Sequence, residues 1–380
     1  MTSALALALI AFSTGTAVSL ARPALSRARD AAAVLAPSRA RDAAAAPDLT
    51  PAAPLSRLTY LTETATSTPK VWIASRSGGE GKLLGPGQQP LLAPDGRSVA
   101  VSLFGASPGV SEHGPSLGVY PAEGGPIANY LDLETATATP LAWSPDSRYL
   151  AIYRQSNETV DIAAGSGLDV IDTQTGAVTS IAEGAIYGAS FARDGSDRLV
   201  FALTHSLSGA AANLYVSEAD GADLHRITSD GRSLNPVWGP SYIAYDRERL
   251  RHEAPEYQIW LASSSGARVR RVTHVPAGPL VEGLVPLAFS ADGNRLLAEF
   301  EGQDTSNAYA VNVASGRARS VNVHGRSVQG AGISSDGGTL LIDEDAFEQA
   351  PSNGRVATIP FAGGPSKVLV AHGSQASWNG

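Results

Sequence analysis

The 380-residue chain is 43% hydrophobic and 17% charged, a balance that suits a folded protein with a large core. Its formal net charge is −8 and its only lysines are Lys70, Lys82 and Lys367, so it has no basic stripe to neutralise phosphates and nucleic acid is excluded as an expected partner. It has no cysteine, which rules out disulfides, thiolate nucleophiles and cysteine-ligated zinc.

Residues 4–14, ALALALIAFST, form an apolar run too short to span a bilayer. Small residues follow, Gly15 and Ala17 included, so residues 1–20 read as a secretory signal even though no Lys or Arg precedes the run. Export to the periplasm, the cell envelope or the exterior is expected, with no membrane span in the mature chain. Residues 21–54 are rich in Ala, Arg and Pro, and SRARDAAA occurs at both Ser26–Ala33 and Ser38–Ala45. Few large apolar groups offset ordering entropy there, so this segment is expected to be a disordered tether.

Three strand-like segments follow, RLTYLTE (57–63), VWIASRSGG (71–79) and KLLG (82–85). From residue 91 a frame recurs: LLAPDGRSVAVS (91–102), AWSPDSRYLAIY (142–153), SFARDGSDRLVFA (190–202), VWGPSYIAYD (237–246), AFSADGNRLLAEF (288–300) and GISSDGGTLLID (332–343), with SWNG at the end of the chain. The anchor positions are Leu92, Trp143, Phe191, Trp238, Phe289, Ile333 and Trp378, spaced 44–51 residues apart. A period of that length is a unit of about four strands, the size of a propeller blade. Each unit reads as a first strand ending at the anchor, a Pro/Asp/Gly turn and an apolar second strand. A variable loop, a third strand with a glycine turn and a short fourth strand complete it. The opening segments lack a first strand and SQASWNG supplies one. The expected fold is therefore an all-β, seven-bladed β-propeller over residues 55–380, closed by a composite blade made from both chain ends.

The frames APDGR, SPDSR, SADGN and SSDGG resemble the WD40-like (PD40) propeller repeats of the TolB-type family over roughly residues 55–380. That resemblance implies the fold and leaves the function open, because such repeats occur in transporter accessory proteins, peptidase propellers, lyases and secreted proteins alike. The TolB family itself carries an α/β domain before a six-bladed ring, where this chain offers a tether and seven frames.

Asp95, Asp146, Asp194, Asp292 and Asp336 occupy one position of the frame. An aspartate there accepts backbone N–H bonds within the turn, and the fourth frame, with Gly239-Pro240 in its place, points to a turn device and not to a ring of ligands. Trp143, Phe191, Trp238, Phe289 and Trp378 read as core between blades.

Chemistry is then expected in the unrepeated loops. The propeller resemblance implies that the loops after second and fourth strands gather on one face around the channel mouth. His113, His205 and His252 follow second strands there, and His274, His324 and His372 end fourth strands of consecutive units, with Gln329 and Gln375 nearby. Clustered imidazoles can hold a divalent metal, and seven-bladed lyases acting on uronate sugars use histidines and a glutamine in this way. His274, His324 and His372 are the candidate metal ligands, and no other cofactor is expected. The stretch YDRERLRHEAPEY (245–257) is the most charged, and Arg247, Arg249, Arg251 and His252 make it a candidate recognition loop for an anionic ligand or partner. A second polar stretch, DEDAFEQAPSNG (343–354), lacks the spacing and glycine of an EF-hand. There is no Walker loop or HExxH motif, and no catalytic residue is nominated. The expected function is that of a monomeric, non-enzymatic binding or scaffold protein. It would recognise a protein or small ligand through loops on one face; the alternative is a metal-dependent lyase or hydrolase at the channel mouth.

Overall fold

The computed structural model describes residues 54–62, 68–103, 115–132, 136–156, 165–205, 211–251, 254–267, 269–276, 282–302, 305–346 and 354–379. The expected signal segment, and all of the expected tether except Pro54, lie outside these residues. Among the described residues the regular structure is all strand.

Alternating apolar residues and glycine turns fold the chain into successive antiparallel hairpins. Strands β1 (Arg57–Thr62), β2 (Lys70–Ser75) and β3 (Lys82–Pro86) come first. Six sets of four consecutive strands follow. The first set is β4 (Gln88–Leu92), β5 (Ser98–Ser102), β6 (Pro115–Pro121) and β7 (Ala128–Asp132). The second is β8 (Ala136–Trp143), β9 (Tyr149–Ser156), β10 (Gly167–Asp172) and β11 (Val178–Glu183). The third is β12 (Ala185–Phe191), β13 (Arg198–Thr204), β14 (Asn213–Glu218) and β15 (His225–Arg226). The fourth is β16 (Ser233–Trp238), β17 (Ile243–Arg251), β18 (Ala254–Ala262) and β19 (Arg270–Arg271). The fifth is β20 (Glu282–Phe289), β21 (Arg295–Gly302), β22 (Ser306–Asn312) and β23 (Ala318–Ser320). The sixth is β24 (Arg326–Ile333), β25 (Thr339–Ala346), β26 (Arg355–Pro360) and β27 (Lys367–Val370). The last strand, β28 (Ser374–Trp378), pairs antiparallel with β1, giving a terminal sheet in the order β28-β1-β2-β3.

The fourth and fifth sets share one eight-stranded sheet, because β18 and β20 make a short parallel contact at Glu256–Glu282 and Tyr257–Gly283. Gly283 permits it: a Cβ at that position would overlap the Tyr257 backbone.

The pairing of first and second strands is bulged in every set and in the terminal sheet. First strands also touch one another in order, β4 to β8, β12, β16, β20, β24 and β28, and β28 touches β4. The apolar core lies between neighbouring sheets. Leu297 and Ala310 of the fifth set, for example, meet Ile333 and Ile342 of the sixth. Leu61 and Val71 of the terminal sheet meet Val99 and Val101 of the first set. The anchors Leu92, Trp143, Phe191, Trp238, Phe289 and Ile333 are buried, and Trp378 is half-buried.

The repeated aspartates close turns. The Oδ1 atoms of Asp95, Asp146, Asp194, Asp292 and Asp336 each accept the backbone N–H two residues on, at 2.8–3.1 Å. Ser144, Ser290 and Ser334, two residues earlier, donate to the same oxygens at 2.5–2.6 Å. In the fourth set, Gly239 N–H bonds Tyr242 O directly. This turn is two residues shorter than those closed by Ala93–Ser98 and Ser144–Tyr149, and residue 239 itself is glycine where a Cβ would sit 2.7 Å from the Phe289 ring.

Two expected loops are strands in part, residues 252–253 and 347–353 lying outside the described residues. Residues 245–251 and 254–257 belong to the long hairpin β17–β18, where alternating residues keep backbone pairing to Arg251–Ala254. Residues 343–346 complete β25, and Glu344 is fully buried between Arg355 and Arg326.

Trp143 is 8% exposed and its Nε1–H donates to Leu91 O of the preceding set at 3.0 Å. Trp143→Ala is expected to cost about 3–5 kcal/mol by cavity formation. Urea unfolding checks this: the midpoint should fall at unchanged slope.

Candidate functional site

Second strands that start at the same register carry carboxylates in the fourth, fifth and sixth sets. Counting from the residue opposite each anchor (Ile243, Leu296 and Leu340), the third residue onward is Asp246, Glu299 or Asp343, and the fifth is Glu248, Glu301 or Asp345. The spacing of two puts each pair on one face of its strand. Leu297, two residues before Glu299, packs against the sixth set, so this face looks toward the following sheet.

Asp343 and Glu299 solve their burial alike. Asp343 accepts the backbone N–H of Ala376 on β28 at 3.2 Å, and Glu299 Oε2 accepts that of Gly330 on β24 at 2.8 Å. Both donors sit at the bulge of the next first strand. Asp246 meets a different strand. Pro286 of β20 holds the register position of Gly330 and has no N–H to give. Asp246 is 1% exposed, and neither carboxylate oxygen has a hydrogen bond of regular geometry. Glu299 Oε1 is likewise buried and unpartnered.

These environments reset acidity. Burial pushes Asp246 up to about 7, eased by the nearby Asn235 side chain and raised further by the charges of Glu301 and Glu248. Burial pushes Glu299 up to about 8 against the pull of the Gly330 N–H, with Glu301 and Asp343 adding repulsion. Asp343 rises to about 7 for the same first reason, offset by the Ala376 N–H. Glu301 and Asp345 also rise by desolvation. Tyr257 is raised by burial and by the charges of Glu248, Asp246 and Glu301, with Tyr187 close by, so its hydroxyl stays protonated. Glu248, Glu301, Asn235, Tyr187 and Tyr257 are half-buried, which makes Asp246 the floor of a graded acidic site. Among the described residues, none of Asp246, Glu248, Glu299 and Glu301 joins an ion pair. Such a set can bind a cation or hold and release a proton near neutrality.

The backbone is also unusual beside the site. Asn235, Gln89 and Gln375 have φ of 46°, 51° and 49° at first-strand bulges, a conformation that non-glycine residues adopt at a cost. Gln375 Oε1 accepts the Gln89 N–H at 2.9 Å, tying β28 to β4.

The expected sites fare differently. His274, His324 and His372 are exposed and do not come together: among the described residues no three His, Asp or Glu side chains form a group that could hold a metal. The two amides named with them are occupied, Gln329 by Ser306 and Gln375 by Gln89. Arg247 pairs with Asp230 at 2.7 Å and lies 4.7 Å over the Trp260 ring, so it serves the fold. Arg249 is exposed opposite Glu256; Arg251 ends β17, and His252 and His113 lie outside the described residues. Sequence reasoning passed over the carboxylate ladder because it read residues 245–257 and 343–354 as loops. The pattern D-x-E, E-x-E, D-x-D in apolar second strands was the available signal.

A groove of about 530 Å³ opens at the aspartate-turn ends of the sixth set and the terminal sheet, lined by Arg76, Asp336, Lys367 and Trp378 among others. Arg76 stacks 4.0 Å over Trp378 and donates to Asn379 O, which commits the groove's inner cation to joining the chain ends.

No protein-family model matches the chain, and no curated protein does. Solved structures match its fold. The β-propeller domain of the trilobed protease from Pyrococcus furiosus superposes with a TM-score of 0.62 at 14% identity, covering 84% of this chain and 93% of that one. A prolyl endopeptidase matches with a TM-score of 0.58 at 14% identity over 84% of this chain, which spans 49% of that enzyme's length. Oligogalacturonate lyase in complex with manganese matches with a TM-score of 0.52 at 14% identity, covering 84% of this chain and 87% of that one. The fold is a β-propeller, as the repeat leads one to expect.

The raised carboxylates set a pH dependence. Unfolded, they ionise near 4; folded, Asp246, Asp343 and Glu299 hold their protons to about 7, 7 and 8. The folded state binds more protons in this window, so their contribution is present in full below about pH 4 and is lost as pH rises through 7–8. The melting temperature is expected to fall between about pH 5.5 and about pH 9, more steeply than in Asp246→Asn/Glu299→Gln. That variant should melt roughly 2–4 °C higher at the alkaline end. Calorimetry across the range checks both slope and sign.

Proposed function

We propose that the chain is a seven-bladed propeller, closed by its two ends, that works as a binding module through the acidic face of the fourth, fifth and sixth blades. Closure is supported by the β28–β1 pairing and by the unbroken succession of first strands from β4 through β28 to β4. A ring so closed leaves its unrepeated side chains free for recognition. Binding is supported above all by Asp246, a buried carboxylate with no hydrogen bond of regular geometry and only the Asn235 side chain to ease it, which costs stability unless a ligand or proton relieves it. We propose export as well, on the apolar run at residues 4–14 and the small residues after it.

The reading as a metal-dependent lyase or hydrolase draws on the likeness to oligogalacturonate lyase, a likeness of fold at 14% identity. It would need metal ligands other than the dispersed trio His274, His324 and His372.

Two outcomes are expected. Removal of residues 374–380 strips β1 of its partner and β4 of a neighbour, so the truncated chain should lose cooperative unfolding; melting identical to the full chain would contradict closure. In a thermal-shift screen of metal ions, amines, organic anions and oligosaccharides, at least one class should stabilise the full chain, and that shift should vanish in Asp246→Asn/Glu299→Gln. A shift the variant retains, or cleavage of an oligouronate with added manganese, would contradict binding at this face.

A further inference from the structure

The acidic face has a ligand chemistry written into it. Its deepest group, Asp246, is buried, has no hydrogen bond of regular geometry and feels further negative charge from Glu248 and Glu301, with Tyr257 near all three. One blade on, Glu299 presents a second unpartnered oxygen. Among the described residues no cation pairs with them. Along β17, Arg247 and Arg249 alternate with Asp246 and Glu248 and so take the opposite face, and Arg247 is already paired with Asp230. Apart from His252, the segments 206–210, 252–253, 277–281 and 303–304 contain no basic residue in their sequence. The described residues thus supply no positive charge here, and one brought by a ligand would relieve the site.

The kind of cation follows from what lies beside the carboxylates. A hard metal ion needs several oxygens converging at about 2.0–2.6 Å, and the described residues form no such group. The carboxylates instead face successive blade interfaces, one per blade. The surfaces between them are aromatic and apolar. Tyr257 is half-buried near Asp246, with Tyr187 close to Tyr257, and rings of this kind attract alkylated nitrogen cations. Leu287, the bulge residue of β20, is 37% exposed and reaches over Gly330, whose N–H Glu299 accepts.

Resting on the binding reading above, we propose that this face takes a small protonated aliphatic amine, its ammonium group on Asp246 and its alkyl chain running past Leu287 toward Glu299. Deprotonation of the carboxylates then accompanies binding: the proton held by Asp246 or Glu299 leaves to buffer as the ammonium takes its place.

Titration calorimetry of the full chain with cadaverine and spermidine, in buffers of different ionisation enthalpy, tests this. Binding should release about one proton per ligand near pH 7 and be about tenfold weaker near pH 5.5 than near pH 8.5, where the carboxylates are already ionised. Asp246→Asn and Glu299→Gln, which keep the side-chain shape, should each weaken binding and reduce the proton release, and the double variant should abolish it. Tyr257→Phe should leave it within about twofold, because the ring remains. The proposal fails if the amines bind without proton release, if the variants bind as well as the native chain, or if magnesium or calcium competes at equal concentration. Should the amines fail while an oligosaccharide or metal stabilises the native chain and not the double variant, the amine is wrong and the binding face stands.

Discussion

A carboxylate taken out of water must find N–H donors, a cation or a proton, and this requirement organises the molecule at two levels. At the turns it is met at once. Asp292 sits on the surface with Ser290 and the Asn294 N–H bonded to it, and these hold its carboxyl down to about 2. In the second strands it is met only by reaching to the neighbouring blade. Glu299 takes the Gly330 N–H and Asp343 that of Ala376, so each carboxylate also fastens one sheet to the next first strand. For Asp246, the strand that follows has Pro286 at the equivalent register position, a residue with no N–H to give. One residue type thus spans about five pKa units in one chain, by hydrogen bonding at one end and by burial at the other.

The same geometry accounts for the fold around the site. First strands are bulged wherever they pair with second strands, and the bulge turns a backbone N–H or a side chain toward the preceding sheet. Where the bulge residue is Asn235, Gln89 or Gln375, the backbone accepts a left-handed φ that glycine would take more cheaply. The merged sheet of the fourth and fifth sets belongs to this region too. Gly283 lets β20 press against Tyr257, which holds the tyrosine beside Asp246.

Much of the fold could be read from residues alone, since the period of the anchors and the turn aspartates recur in the chain itself. Leu92, Trp143, Phe191, Trp238, Phe289 and Ile333 are buried where the frame puts them, and the five aspartates bond the N–H two residues on. The site was legible only in part. Charge in YDRERLRHEAPEY suggested a loop, yet nine-residue strands β17 and β18 absorb most of it, because pairing continues to Arg251–Ala254 and sets Arg247 and Arg249 on the face opposite Asp246 and Glu248. The histidines share a sequence position and remain apart, since equivalent positions in neighbouring blades are separated by the width of a sheet. That Pro286, forty residues after Asp246, stands where the next first strand offers the Gly330 N–H is a relation that only the register discloses.

The most direct measurement is a carbon-13 NMR titration of the side-chain carboxyls, with Asp246 and Glu299 assigned by substitution to Asn and Gln. The account predicts midpoints near 7 and 8 for these two while Asp292 titrates near 2. An Asp246 midpoint close to the ordinary aspartate value of about 4 would contradict it, because a carboxylate ionised that easily is already solvated or paired.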